Sequence, residues 1–78
     1  MMKRIVTVQD KFITLGQLLK HENIISSGGM AKWYLSEYFV YVNDEEEQRR
    51  GKKLYDGDTV VLPNEGLTIT IQSTSQER

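Results

Sequence analysis

Within "KRIVTV" the β-branched residues Ile5, Val6, Thr7 and Val8 follow one another, a composition that predicts a first strand. Thr14 then precedes Leu15, Leu18 and Leu19 at helical spacing, with its hydroxyl placed to cap, so a short helix is expected to run to about Glu22. "NIISSGG" interrupts it. Ser26 or Ser27 is expected to cap a second helix, in which Met30, Ala31, Tyr34, Leu35 and Tyr38 recur every three or four residues as a buried stripe. In "FVYVND" the period changes to two, which turns Val40 and Val42 to the core and Phe39 and Tyr41 outward or toward a neighbour. "DTVVL" and "LTITIQ" read as further strands, joined through a hairpin-like turn punctuated by Pro63 and Gly66. This order predicts an α+β domain, two short helices packed on a small antiparallel sheet, over residues 1–72 with 73–78 as a frayed tail.

Composition narrows the chemistry. A chain of 78 residues and 9.0 kDa forms one domain near the lower end of what folds alone. Such a domain buries roughly 60% of its unfolded surface, so a deep catalytic cleft is not expected. With no cysteine, disulfides, thiolate catalysis and cysteine metal sites are excluded, and the lone His21 cannot build a metal site by itself. No cofactor is expected. No apolar run approaches the ~18 residues of a membrane span. "MMKRIVTVQD" lacks the apolar core of a signal peptide, so the chain reads as cytoplasmic, without a membrane partner. The net charge of −1 gives no global nucleic-acid footprint; any such signal must be local.

One stretch carries it. "NDEEEQRRGKKLYDGD" sets four acids at positions 44–47 and then Arg49, Arg50, Lys52 and Lys53 around Gly51. Arginine offers a flat bidentate fork for phosphate and lysine a mobile point charge, while Gly51 permits unusual backbone angles and close approach. The plain alternative is a solvated loop whose cations balance the neighbouring acids. The acids are expected at a hairpin tip, pointing away from any ligand, and they lack the alternating spacing and glycine of a calcium loop. A second candidate is "SSGGMAK", where Ser27, Gly28 and Gly29 lead into a helix whose free N–H groups can face an anion, with Lys32 one turn in; its alternative is ordinary capping. Lys20 serves either the first helix's dipole or a ligand. His21 is expected to be exposed, and Trp33, one position off the stripe, is either partly buried packing or a base-stacking platform.

The middle of the chain resembles the small RNA-binding domain named after ribosomal protein S4, also called the αL domain. The places of that pattern are filled by Leu15 and Leu19, Ala31 with Lys32, Val40 with Val42 and Asn43, and Gly57 with Asp58, over residues 14–58. More narrowly, "SGGMAKWYLSE" with "RRGKKLYDGD" resembles the short YaaA-like members of Gram-positive bacteria. The resemblance implies binding of structured RNA, with ribosomal RNA or a ribosomal particle as the partner and no small-molecule substrate. It places the contact face on the two helices and the loop after "VN", hence on Lys20, Ser27, Gly28, Gly29, Lys32, Arg49, Arg50, Lys52 and Lys53. The family usually has arginine just before the first leucine and at the start of the second helix, where this chain has Thr14 and Gly28, and Asp44 stands where a turn glycine is common.

Three function classes compete. A noncatalytic RNA-binding module, recognising RNA by phosphate and shape contacts, fits the residues best. A small β-grasp carrier or protein-interaction module shares the look of "VYVNDEEEQ" and "LYDGDTVVL", but a carrier needs a terminal Gly-Gly and this chain ends "SQER". An enzyme such as a pseudouridine synthase needs a separate catalytic domain, for which no residues remain.

Overall fold

The computed structural model describes residues 2–74. Its elements in chain order are β1 (Met2–Val8), β2 (Phe12–Thr14), α1 (Leu15–His21), α2 (Met30–Glu37), β3 (Tyr41–Val42), β4 (Glu45–Glu46), β5 (Lys53–Tyr55), β6 (Thr59–Leu62), a 3-10 turn (Pro63–Glu65) and β7 (Leu67–Ser73). The α+β architecture is as expected from the sequence. Five strands form one sheet in the order β1-β7-β6-β3-β4, and β2 and β5 form a separate antiparallel ribbon.

The sheet is antiparallel except at one edge. There β1 runs parallel to β7, from Met2 opposite Leu67 to Val8 opposite Ser73. The last described residues are tied in, since Thr74 N–H donates to the Val8 carbonyl (2.9 Å). The remainder of the expected tail, 75–78, lies outside the described residues.

Local chemistry sets the first helix as anticipated. Thr14 Oγ1 accepts from Gln17 N–H (3.2 Å) while Thr14 N–H donates to Gln17 Oε1 (2.9 Å), a reciprocal cap that satisfies an orphan donor of α1. The second helix begins differently. Gly29 is its N-cap with no side-chain bond, and the first N–H groups go instead to loop carbonyls, Met30 to Ser27 (3.1 Å) and Ala31 to Gly28 (3.2 Å). The expected Ser26 or Ser27 cap is therefore absent; Ser26 Oγ donates to Met30 Sδ (3.0 Å). This corner also lifts Met30 out of the expected stripe, leaving it exposed, whereas Ala31, Tyr34 and Leu35 are buried and Tyr38 packs against them.

One apolar core unites the layers. Leu15, Leu18 and Leu19 of α1 and Ala31, Tyr34 and Leu35 of α2 meet Val40, Val42, Val60, Leu62, Ile69 and Ile71 on one face of the sheet. Fully burying each of the leucine, isoleucine and valine side chains contributes about 1.5–3 kcal/mol. The alternation read after α2 holds, with Val40 and Val42 buried, Phe39 exposed and Tyr41 half-buried. Tyr34 also ties α2 to the 3-10 turn, its hydroxyl donating to Glu65 Oε2 (3.0 Å). At the hairpin joining β3 and β4, Asn43 and Asp44 have φ of 51° and 71°, the two left-handed positions of a type I′ turn.

Candidate nucleic-acid interface

The loop from 47 to 52 is held by its backbone. The first N–H groups of a helix lack intrahelical partners, and in α1 they are taken by this loop. Leu15 N–H donates to the Lys52 carbonyl (2.9 Å) and Gly16 N–H to the Arg50 carbonyl (2.8 Å). A further turn closes from Lys52 N–H to the Arg49 carbonyl (3.1 Å). With its main chain stapled to α1, the loop leaves Arg50 and Lys53 exposed and Lys52 half-buried. Gly51 does not use the left-handed angles that glycine permits; the space where its Cβ would stand is open.

Gly16 is the meeting point that sequence reasoning missed. A Cβ placed there would lie 3.4 Å from the Ala31 Cβ, the Arg50 Cβ and the Arg50 carbonyl oxygen. The start of α2 and the basic loop therefore converge on one small residue of α1. The available signal was the glycine itself, which is unfavourable inside a helix by about 1 kcal/mol relative to alanine unless packing requires it.

The expected site residues sort accordingly. Arg50 adjoins Ala31 across Gly16, and Lys32 is exposed at the next position of α2. Gly28 and Gly29 are exposed at the same corner with nothing within 4 Å of a Cβ on either, and Ser27, also exposed, gives its carbonyl to Met30. Lys20 is exposed in the last turn of α1, one turn beyond Gly16 on the same helix face. Lys53 lies with its Nζ 4.9 Å from the centre of the Phe12 ring. His21 is exposed and bonds Glu22 through Nδ1 (2.7 Å). Trp33 is half exposed and meets Tyr38 edge-on, with ring centres 6.1 Å apart.

Arg49 stands apart. Its Nε and Nη2 donate to the two oxygens of Glu47 (2.9 and 3.2 Å), and its N–H donates to Glu47 Oε2 (3.1 Å). These bonds from Arg49 hold the Glu47 carboxyl down at about 2, against an ordinary 4.5. The acidic run therefore does not point away as a block. Asp44 is at the tip and Glu45 and Glu46 form an exposed edge strand, but Glu47 turns inward because its N–H continues the ladder to the Val40 carbonyl (2.8 Å). Together Glu45, Glu46, Glu47, Arg49 and Lys52 line an open groove of about 470 Å³. Among the described residues there is no group of three or more His, Cys, Asp or Glu placed to hold a metal ion.

A narrow clamp closes the whole charged segment. Asn43 and Asp58, at its two ends, are bonded to each other and to the backbone on either side. What results is a rigid corner built from the start of α1, the start of α2 and a loop carrying Arg50, Lys52 and Lys53. Such a surface suits an extended polyanion better than a small molecule.

Comparison with known proteins identifies the family. The S4 domain family matches over residues 6–71. A relative from Bacillus subtilis (strain 168), named "Probable ribosome maturation protein RlbA", is 54% identical over 61 residues, which cover 78% of this chain and 86% of the relative. No solved structure gives a match. The chain belongs to the S4-domain family of RNA-binding proteins.

Proposed function

We propose that this protein is a noncatalytic module that holds structured ribosomal RNA, within a subunit or an assembly particle, through phosphate and shape contacts in the bacterial cytoplasm. The observation that carries the reading is the convergence of Arg50 and Ala31 on Gly16, with Lys32 exposed at the next position of α2. A chain of net charge −1 binds a polyanion only by concentrating its cations on one face. Here Arg50, Lys52, Lys53 and Lys32 would grip phosphates, Gly28 and Gly29 would let a phosphate approach the backbone at the start of α2, and Lys20 would extend the track along α1. Arg49 would join once released from Glu47. The name of the B. subtilis relative, a ribosome maturation protein, supports a role during ribosome assembly. Among the described residues no helix is long and apolar enough to cross a membrane.

The test is a variant in which Arg49, Arg50, Lys52 and Lys53 are all replaced by Gln. Surface changes of this kind alter stability by about 0.5 kcal/mol or less each, and Arg49→Gln in addition gives up the bonds to Glu47, so a thermal melt accompanies the titration and affinity is read from the folded fraction. Affinity for structured RNA should collapse, and the slope of log K against log salt should flatten by roughly 0.7–0.9 for each phosphate no longer neutralised. Unchanged affinity and slope would remove the loop from the interface. Crosslinking in cells followed by sequencing of the attached RNA would identify the partner, and recovery of no ribosomal RNA would refute the ribosomal assignment.

A further inference from the structure

We propose that a depression beside α1, of about 280 Å³ and lined by Val8, Asp10, Phe12, Ile13, Gln17 and His21, takes an unpaired guanine of the bound RNA. The inference rests on the RNA-binding reading above and names a base that such an RNA presents. Gln17 and His21 stand four residues apart on one face of α1, a different face from that of Gly16 and Lys20. Asp10 comes from the loop between β1 and β2, which is pinned where the Asp10 carbonyl accepts from Ser73 Oγ (2.6 Å).

The floor is apolar and partly aromatic, the surface on which a planar base stacks. Phe12 is braced from its own side by Tyr55, with ring centres 5.9 Å apart and the planes tilted by 55°, and by the Lys53 ammonium. The rim supplies the hydrogen-bond pattern. Gln17 Oε1 already accepts from Thr14 N–H, which leaves the amide N–H groups as donors. His21 Nδ1 faces a Glu22 carboxylate oxygen, which needs a donor, so in the neutral ring Nε2 is an acceptor. The Asp10 carboxylate accepts only, and among the described residues nothing donates to it.

Guanine offers two adjacent donors on its pairing edge, N1–H and N2–H, beside the acceptor O6. A carboxylate accepts from both donors while the Gln17 amide donates to O6. Adenine would turn the N1 lone pair toward the carboxylate, cytosine would turn N3 and O2, and uracil has a single N–H between two acceptors. The same negative charge keeps a phosphate out of the depression. Lys53 pairs with Thr14 across the β2–β5 ribbon, so the basic loop ends within one helical turn of this rim. A backbone gripped by the loop can place a neighbouring base here.

The experiment measures binding of the full chain to hairpins with one stem and a single bulged G, A, C or U, beside a fully paired control. The bulged-G hairpin should bind about tenfold tighter than the other three, the scale of one well-made bidentate base contact. In Asp10→Asn that preference should shrink to about twofold, with the affinity for the paired control and its salt slope unchanged. Equal affinity for the four bulges, or a preference that survives Asp10→Asn, would overturn the proposal. A second measurement is independent of the basic loop. Millimolar guanosine, which carries no phosphate, should shift the Phe12 and His21 ring resonances in the wild-type chain and in a variant with Arg49, Arg50 and Lys52 replaced by Gln and Lys53 kept, and adenosine, cytidine and uridine should not. Absent shifts would overturn the guanine site and leave the loop reading standing. Guanosine shifts in a protein that binds no hairpin would support the site and sink the loop reading.

Discussion

Asn43 Nδ2 donates to Asp58 Oδ1 at 3.1 Å, joining the residue that follows β3 to the residue that precedes β6. Each partner also holds backbone, Asn43 Oδ1 accepting from Thr59 N–H (3.0 Å) and Asp58 Oδ2 from Tyr55 N–H (2.8 Å). The "VN" and "GD" of the sequence are thus the two halves of one clamp, and the charged loop springs from its base. Gly57 between them has φ of 90°, a backbone angle that a side chain would strain.

Replacing Asn43 by Ala should lower stability by about 1–3 kcal/mol, through the removal of two side-chain hydrogen bonds and a left-handed φ that alanine tolerates poorly. Asn43→Gly removes the same bonds but relieves the backbone. It should recover part of the loss, and urea melts of the pair separate the two contributions. If Asn43→Gly is no more stable than Asn43→Ala, the turn angle is not part of the effect.

At Gly16 the expected outcome depends on side-chain size. Alanine gains about 1 kcal/mol of helix propensity and meets Ala31 and Arg50 at ordinary contact distance, so Gly16→Ala should stay within about 1 kcal/mol of wild type. Gly16→Leu must push apart α1, α2 and the loop, at a cost of about 1–3 kcal/mol, and should weaken RNA binding in the fraction that remains folded. Thermal melts beside filter-binding titrations check both. RNA affinity untouched by Leu would show that the convergence at Gly16 is irrelevant to the interface.

Glu47 makes acid sensitivity and RNA affinity move in opposite directions. Its carboxyl is depressed to about 2 in the fold from an ordinary 4.5. The bonds to Arg49 therefore stabilise the fold fully above about pH 4.5, and this contribution disappears as pH falls toward 2. In Glu47→Gln the loss of stability over that window should be smaller. At neutral pH the same change frees Arg49 and removes a negative charge, so RNA should bind more tightly, with a salt slope steeper by up to about 0.9. Weaker binding in Glu47→Gln would show instead that Glu47 holds Arg49 in the pose that RNA needs.

Gly29 separates a phosphate seat from a turn requirement. Its φ of −66° is open to any residue and nothing crowds its Cβ position, so Gly29→Asp should leave the melting temperature unchanged or slightly raised. If a phosphate approaches the backbone here, the added carboxylate should still weaken RNA binding. Lys32→Gln should weaken it too, and the double variant should fall short of the two effects combined, because both changes touch one partner. Unchanged affinity in folded Gly29→Asp would exclude the seat.

How much of this was legible depended on the range of the interaction. The α1 cap at Thr14, the buried leucines and the alternation of Val40 and Val42 follow from neighbours a few residues apart, where periodicity carries the information. Phe12 and Tyr55 escaped notice because their strands are three residues long, too short to display alternation. The parallel course of β1 is decided by docking against residues some sixty positions later, and nothing in "KRIVTV" states its direction. The Ser26 or Ser27 cap failed for a related reason: the loop's own carbonyls reached the α2 donors first. At the interface the cations were plain in the sequence. Gly16 acts through groups brought to it by the fold, and Glu47 meets Arg49, only two residues on, in a loop whose shape the fold sets, so only their residue types were visible.

The edge pairing of β1 with β7 also bears on the order in which the molecule assembles. Nearly the whole chain lies between Met2 and Leu67, so closing that ladder carries the largest loop-closure entropy of any strand pair here. In return β1 buries Val6 alone completely, with Met2 and Ile5 more than half exposed. The helices, the basic loop and the strands from β3 to β7 are therefore expected to form before β1 docks. Its amide protons are expected to exchange with solvent sooner than those of β6 and β7. The corner that would face RNA sits in the part of the chain expected to close before β1 does.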